Sequence, residues 1–138
     1  MDNQALKERI RTAYASGDFE ALTQIMDDMV GDDFVLEYPQ SGETFRGWDT
    51  VKQMNLSYES GTGTAPKMSG HTILEPGKAW VFEGTIDYGD GTPVSGVTII
   101  EVGPDGKAVR QRDYFGYPFE APEWRAKFTE AGEKVTTS

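Results

Sequence analysis

Three observations along this 138-residue chain predict an α+β domain. Apolar residues recur at helical spacing near the N-terminus. They alternate at strand spacing from about Met68 onward, and turns carrying Gly or Pro separate the later segments. Helices first and strands afterwards is the order in which N-terminal helices cover one face of an antiparallel or mixed sheet. That layering leaves a concavity between the layers, where small ligands bind. The length suits one domain spanning 1–138.

Leu6, Ile10 and Tyr14, with Ala13 beside them, form an apolar stripe that predicts a helix over 3–16. Gly17 is suited to end it, and Asp18 to cap the next helix. Phe19, Leu22, Ile25, Met26 and Met29 fall on one face of that second helix, predicted from Phe19 to about Val30. GDD at 31–33 reads as a turn and FVLEY at 34–38 as a short strand that Pro39 ends. QSGETFRG is a loop or small hairpin, and 48–58 a third helix with Val51, Met54 and Tyr58 on one side. SYESGTGTAPKMSG reads either as a loop over a pocket mouth or as a plain long connection. Strands follow at His71–Glu75, Lys78–Tyr88, Val94–Val102 and Ala108–Gly116, with Asp-Gly at the tip of the last hairpin. A short helix is predicted near Pro122–Ala131, with Pro122 in its first turn, and EKVTTS reads as a frayed end.

The formal net charge of -10 argues against a nucleic-acid partner, which calls for clustered Lys and Arg. The absence of cysteine excludes disulfides, thiolate chemistry and cysteine-ligated zinc, and a single histidine, His71, excludes a multi-histidine metal site within one chain. No metal and no cofactor is therefore expected. No apolar run approaches the roughly 20 residues of a membrane span. The opening MDNQALKERI lacks the apolar core of a secretory signal, so the cytoplasm is the expected location.

The stretch VRQRDYFG at 109–116 carries the most unusual pattern. In a strand, Val109, Gln111, Asp113 and Phe115 share one face, and Arg110, Arg112 and Tyr114 the other. If the first face is interior, the Asp113 carboxylate is partly desolvated and sits deep in a small-molecule pocket, with Asp87 as its partner. Two carboxylates brought together in an apolar pocket share a proton. One activates water or takes a carbon-bound proton while the other donates. The competing reading pairs Asp113 with Arg110 or Arg112 and leaves Asp87 facing solvent before its turn.

The two N-terminal helices, DDFVLEYPQSG, the strand run and the terminal RDYFG resemble the nuclear transport factor 2-like superfamily over about Leu6 to Phe128. That superfamily includes SnoaL-like polyketide cyclases, ketosteroid isomerase and limonene-epoxide hydrolase. The resemblance implies a cone-shaped, strongly bent sheet closed by helices (a cystatin-like α+β barrel), often assembled as a dimer. It implies that Asp113 matches the final-strand aspartate of the epoxide hydrolase and Asp87 its second aspartate, with Thr85 where that enzyme has an arginine. Tyr38 stands where ketosteroid isomerase has its general base, and Thr98 near its second acid, so isomerisation by that mechanism is not expected. Asp113 also matches the late-strand acid–base aspartate of the cyclases, whose nearby histidine does not align with His71.

The expectation is a cofactor-independent acid–base enzyme for a small, largely apolar molecule, acting by hydration, isomerisation or cyclisation. Asp113, Asp87 and Tyr38 would be catalytic. Met54, Tyr58, His71, Glu83, Thr85, Thr98, Gln111, Phe115 and Trp124 would line the ligand. The alternative is a non-catalytic ligand-binding or sensing domain of the same fold. Tyr38 can equally pack as half-buried aromatic surface, His71 can be an ordinary surface residue, and Met and aromatics at these spacings can be plain core. Glu83, Thr85 and Asp87 alternate with Trp80, Phe82, Ile86 and Tyr88. If the polar set lines the cavity, the aromatic set on the outer sheet face should be a homodimer interface.

Overall fold

A computed structural model describes residues 2–66, 72–74 and 76–132. The order is α1 (Asn3–Ser16), α2 (Phe19–Met29), β1 (Val35–Tyr38), β2 (Glu43–Arg46), α3 (Trp48–Leu56), α4 (Tyr58–Thr62), β3 (Ala79–Ile86), β4 (Val94–Val102), β5 (Ala108–Gly116), a 3-10 segment Glu123–Phe128 and β6 (Glu130–Ala131). The chain is α+β, as expected. The described strands form two three-stranded sheets, ordered β1-β2-β6 and β3-β4-β5, and neither closes into a barrel.

Cα proximity divides the chain into two compact units, one of Met1–Leu36, Thr44–Glu75 and Pro122–Glu130, the other of Glu37–Glu43, Pro76–Ala121 and Ala131–Ser138. In the first unit, α1 is capped by the Asp2 carboxylate, which accepts the Ala5 N–H, and ends at Gly17 with φ 67°. Only glycine adopts that left-handed turn at no steric cost, and it lets the Gly17 N–H reach the last carbonyls of the helix. Asp18 then caps α2 through the Ala21 N–H. Ala13, Ile25, Phe45, Val51 and Met54 form the buried apolar core of this unit. Outside that core, Asp27 ties α2 to α3: its carboxylate accepts the Trp48 indole N–H at 2.6 Å and the Lys52 ammonium at 2.8 Å.

In the second unit, β3, β4 and β5 form an antiparallel meander. Phe82 lies opposite Thr98 and Thr98 opposite Asp113; Gly84 lies opposite Gly96 and Gly96 opposite Phe115. A register shift between Glu101 and Val102 is the one irregularity in the described ladder. The turn after β3 is held by Asp87, whose Oδ1 accepts the N–H groups of Gly89 and Gly91.

Of its two readings, QSGETFRG takes the hairpin, with β2 as the second arm, and several other local expectations change. The third helix stops at Leu56, and α4 takes up part of the Gly/Ser-rich connection. The terminal helix is a short 3-10 segment followed by β6, because Thr129 returns to extended backbone. Residues 72–74 carry no strand pairing, while His71 and Glu75, which would bound that predicted strand, lie outside the described residues, as does the tail from 133. Among the described residues, no helix is long and apolar enough to cross a membrane.

Candidate functional site

Directly opposite residues of an antiparallel ladder share a face. The register therefore sorts the β3-β4-β5 sheet. One face carries Trp80, Phe82, Gly84 and Ile86, then Val94, Gly96, Thr98 and Ile100, then Gln111, Asp113 and Phe115. The other carries Val81, Glu83 and Thr85, then Val97, Ile99 and Glu101, then Arg110, Arg112 and Tyr114.

Asp113 thus belongs with the aromatic residues. Its Oδ1 accepts the Thr98 hydroxyl at 2.7 Å and the Gln111 amide at 3.1 Å, and its Oδ2 accepts the same amide at 3.3 Å. Three bonds from two neutral donors orient the carboxylate without neutralising it. The flanking arginines are engaged on the opposite face. Glu101 accepts from the Arg112 guanidinium, and Arg110 Nε lies 3.6 Å from the same carboxylate. The hydrogen bond that Arg112 donates to Glu101 holds the guanidinium above its ordinary pKa. No ion pair to Asp113 forms among the described residues, so the pairing with Arg110 or Arg112 considered from sequence is not what the fold does.

The expected partnership of Asp113 with Asp87 is corrected. Asp87 lies one residue beyond the end of β3 at Ile86, outside the ladder that holds Asp113. Its row is five residues from that of Phe82, about 16 Å along the strand, and β5 lies about 10 Å across the sheet. Asp87 spends its carboxylate on its own turn. The burial expected around Asp113 is also absent. Asp113 is exposed, and Trp80, Phe82 and Phe115 are 64%, 55% and 56% exposed. The fully apolar outer face expected from Trp80, Phe82, Ile86 and Tyr88 is instead the face that carries Asp113.

A carboxylate is buried elsewhere. Glu43 in β2 is only 4% exposed, and the Ser41 hydroxyl donates to it at 2.6 Å. Sequence reasoning missed it because ETFR was read only as part of a loop or small hairpin, with no burial assigned to either face. Its alternation with Phe45, itself fully buried, was the available signal.

The remaining predicted residues are dispersed. Tyr38 ends β1 half-buried, and its carbonyl accepts the N–H groups of Ser41 and Gly42, closing the hairpin. Met54 is core. Tyr58 and Trp124 meet edge-to-face at 5.7 Å, with the Trp124 indole lying on Gly61, so they form a structural clasp inside the first unit. Glu83 and Thr85 are exposed on the face away from Asp113. His71 lies outside the described residues. The fold therefore brings together Asp113, Thr98, Gln111 and Phe115, and adds Trp80 and Phe82, which sequence reasoning had given to an interface.

An open hollow of about 640 Å³ in the first unit is lined by Thr50, Gln53, Leu56, Ser57, Lys127 and Phe128, none of them a predicted site residue. Among the described residues, no group of three or more His, Cys, Asp or Glu is placed to hold a metal ion. Compared with family models, curated proteins and solved structures, the chain has no match.

Proposed function

We propose that the protein binds a small, largely apolar molecule on the Trp80–Phe82–Phe115 face and acts on it without a cofactor, with Asp113 as the acid–base group. One observation carries this reading. A negative charge stands on an aromatic sheet face, aimed by Thr98 and Gln111, while both neighbouring arginines are bound to Glu101 on the other side. An ionised carboxylate has about four lone-pair sites, and three bonds occupy this one, so it retains capacity for a ligand proton. Once a ligand displaces water from the rings around it, the carboxylate can take a carbon- or oxygen-bound proton and return it, as in hydration, isomerisation or ring closure. The proposal keeps the resemblance to the nuclear transport factor 2-like superfamily as its frame, with cytoplasmic residence. It assigns the homodimer contact to the opposite face, where Val81, Val97 and Tyr114 are exposed.

A second reading has its own support. Asp87 is directed into its turn, so among the described residues no second carboxylate is placed as acid beside Asp113. That favours binding without turnover. Asp113→Asn separates the two. The isostere keeps the shape, and a panel of epoxides, enones and enolisable ketones is assayed with both proteins. Turnover by the parent chain that disappears in the folded variant supports catalysis. An unchanged molecule retained by the gently purified parent, seen by native mass analysis and lost in the variant, supports binding alone. Equal behaviour of parent and variant in both assays overturns the role of Asp113.

A further inference from the structure

The face that carries Asp113 has a gap in it. Gly84 and Gly96 lie opposite each other on β3 and β4, between the row Phe82–Thr98–Asp113 and the row Ile86–Val94. Neither has the left-handed backbone that would call for glycine. A Cβ built on Gly84 meets no atom within 4 Å. For one built on Gly96 the nearest atoms are Ile86 Cδ1 at 3.6 Å and two backbone oxygens at 3.9 Å, ordinary contact distances. A Cβ would therefore fit at both positions, and β-strands favour β-branched residues over glycine. Glycine inside a strand often marks a bulge, a tight bend or a site where a ligand or another backbone approaches closely, and no bulge interrupts the ladder at this pair. The two rows flanking the gap are four residues apart, about 13 Å along the strand, which leaves room for one ring once the flanking side chains are counted.

The surroundings state what that ring must carry. Phe82, Ile86 and Phe115 bound the gap with apolar surface. The one charge on this face of the ladder is the Asp113 carboxylate, diagonal to Gly96 and about 7–8 Å from it between Cα atoms, the reach of a group on a ring edge. An anionic ring is repelled there, and a ring with a proton donor on its edge completes the carboxylate.

We propose that Gly84 and Gly96 floor a ring-binding subsite, and that its occupant is a flat ring compound with an O–H or N–H donor on its edge and no negative charge. This rests on the reading of Asp113 as the ligand-facing group and names the class of molecule it meets.

The test uses the full chain, ¹⁵N-labelled, titrated with phenol and separately with benzoate, an anionic compound with the same ring. Phenol is expected to give saturable amide shifts at Gly84, Gly96 and Phe115, and benzoate none. Asp113→Asn is expected to weaken phenol about tenfold, the fold-change of a lost charge-assisted hydrogen bond, and to admit benzoate. Gly84→Val is expected to abolish the phenol shifts while the fold is kept, since its side chain meets open space. Phenol shifts that persist in Gly84→Val, or that map elsewhere, overturn the subsite even if Asp113→Asn still loses ligand or turnover. Loss in Gly84→Val with unchanged phenol and benzoate behaviour in Asp113→Asn overturns the donor requirement and, with it, the role of Asp113.

Discussion

Gly61→Ala is the sharpest test of how the first unit is packed. Gly61 lies in α4, where alanine is intrinsically favoured over glycine by about 0.5–1 kcal/mol. The structure opposes that gain. A Cβ on Gly61 would lie 2.4 Å from Trp124 Cε3 and 2.6 Å from Cδ2, against the roughly 3.5–4.0 Å of an ordinary carbon contact. The indole must retreat by more than about 1 Å. That move loosens its edge-to-face contact with Tyr58 at 5.7 Å, a pair of the kind worth about 0.5–1.5 kcal/mol. Overpacking of this kind costs about 1–3 kcal/mol, so the net expectation is destabilisation by about 0.5–2 kcal/mol. The sign should reverse without the indole. In a Trp124→Ala background nothing opposes the new methyl, and Gly61→Ala should stabilise by about 0.5–1 kcal/mol. Urea unfolding followed by far-UV circular dichroism reads all four proteins of the cycle without relying on a fluorophore that one of the changes removes. Stabilisation by Gly61→Ala in the parent chain, equal to that in the Trp124→Ala background, would refute the clasp and return Trp124 to the pool of ligand-facing residues.

Asp27 sets a pH dependence. Its hydrogen bonds from Lys52 and then Trp48 hold its pKa below the ordinary aspartate value, so the stability it contributes is present above that value and is lost as pH falls through the lowered one. Urea midpoints of the parent and Asp27→Asn should differ at neutral pH and converge in acid; a gap that is unchanged at low pH would remove the linkage. Gly116→Ala should destabilise the second unit by about 1 kcal/mol, because its Cβ would fall 2.5 Å from Gln40 Nε2 and dislodge the bond that amide donates to the Tyr117 carbonyl. Gln40→Ala should abolish that penalty, as thermal melts of the double variant would show. Thr98→Val keeps the branched shape and removes the hydroxyl that aims Asp113. About 0.5–1.5 kcal/mol of stability should go with it, read by urea unfolding, and no loss at all would mean that the 2.7 Å bond contributes nothing.

What was legible in the chain was local. Gly17 and Asp18 announce the break between α1 and α2 because a left-handed stop and a side-chain cap each act within a few residues. Val94–Val102 and Ala108–Gly116 emerge with the observed bounds, since alternation and an Asp-Gly turn define both strands. The order of faces along β5 was legible for the same reason. What was not legible was register. Alternation assigns Asp113 to one face of its own strand but does not say whether Phe82 or Glu83 stands across from Thr98 in the next. A shift of one residue exchanges the entire neighbourhood. The assignment of Glu83 and Thr85 to the face of Asp113 failed at that step. The Gly61–Trp124 contact was hidden for a related reason: it depends on what a distant segment brings to a short element.

The same parity makes the isolation of Asp113 informative. A carboxylate that merely steadies a sheet is most simply neutralised by a cation one strand over or two residues along, where side chains meet on a common face. Three positions meet this description, 98, 111 and 115, and none holds a cation: Thr98 and Gln111 are neutral donors and Phe115 is apolar. The cations of β5 stand at the intervening positions, 110 and 112, and are matched by Glu101, which the ladder sets directly opposite Arg110. The strand therefore satisfies its cations on one face and leaves its anion hydrogen-bonded but charged on the other, among rings that offer it no counter-ion. Stability alone gives no reason to keep a charge there, since asparagine could be held by donors in the same places. A ligand that brings its own proton to the Trp80–Phe82–Phe115 face supplies that reason.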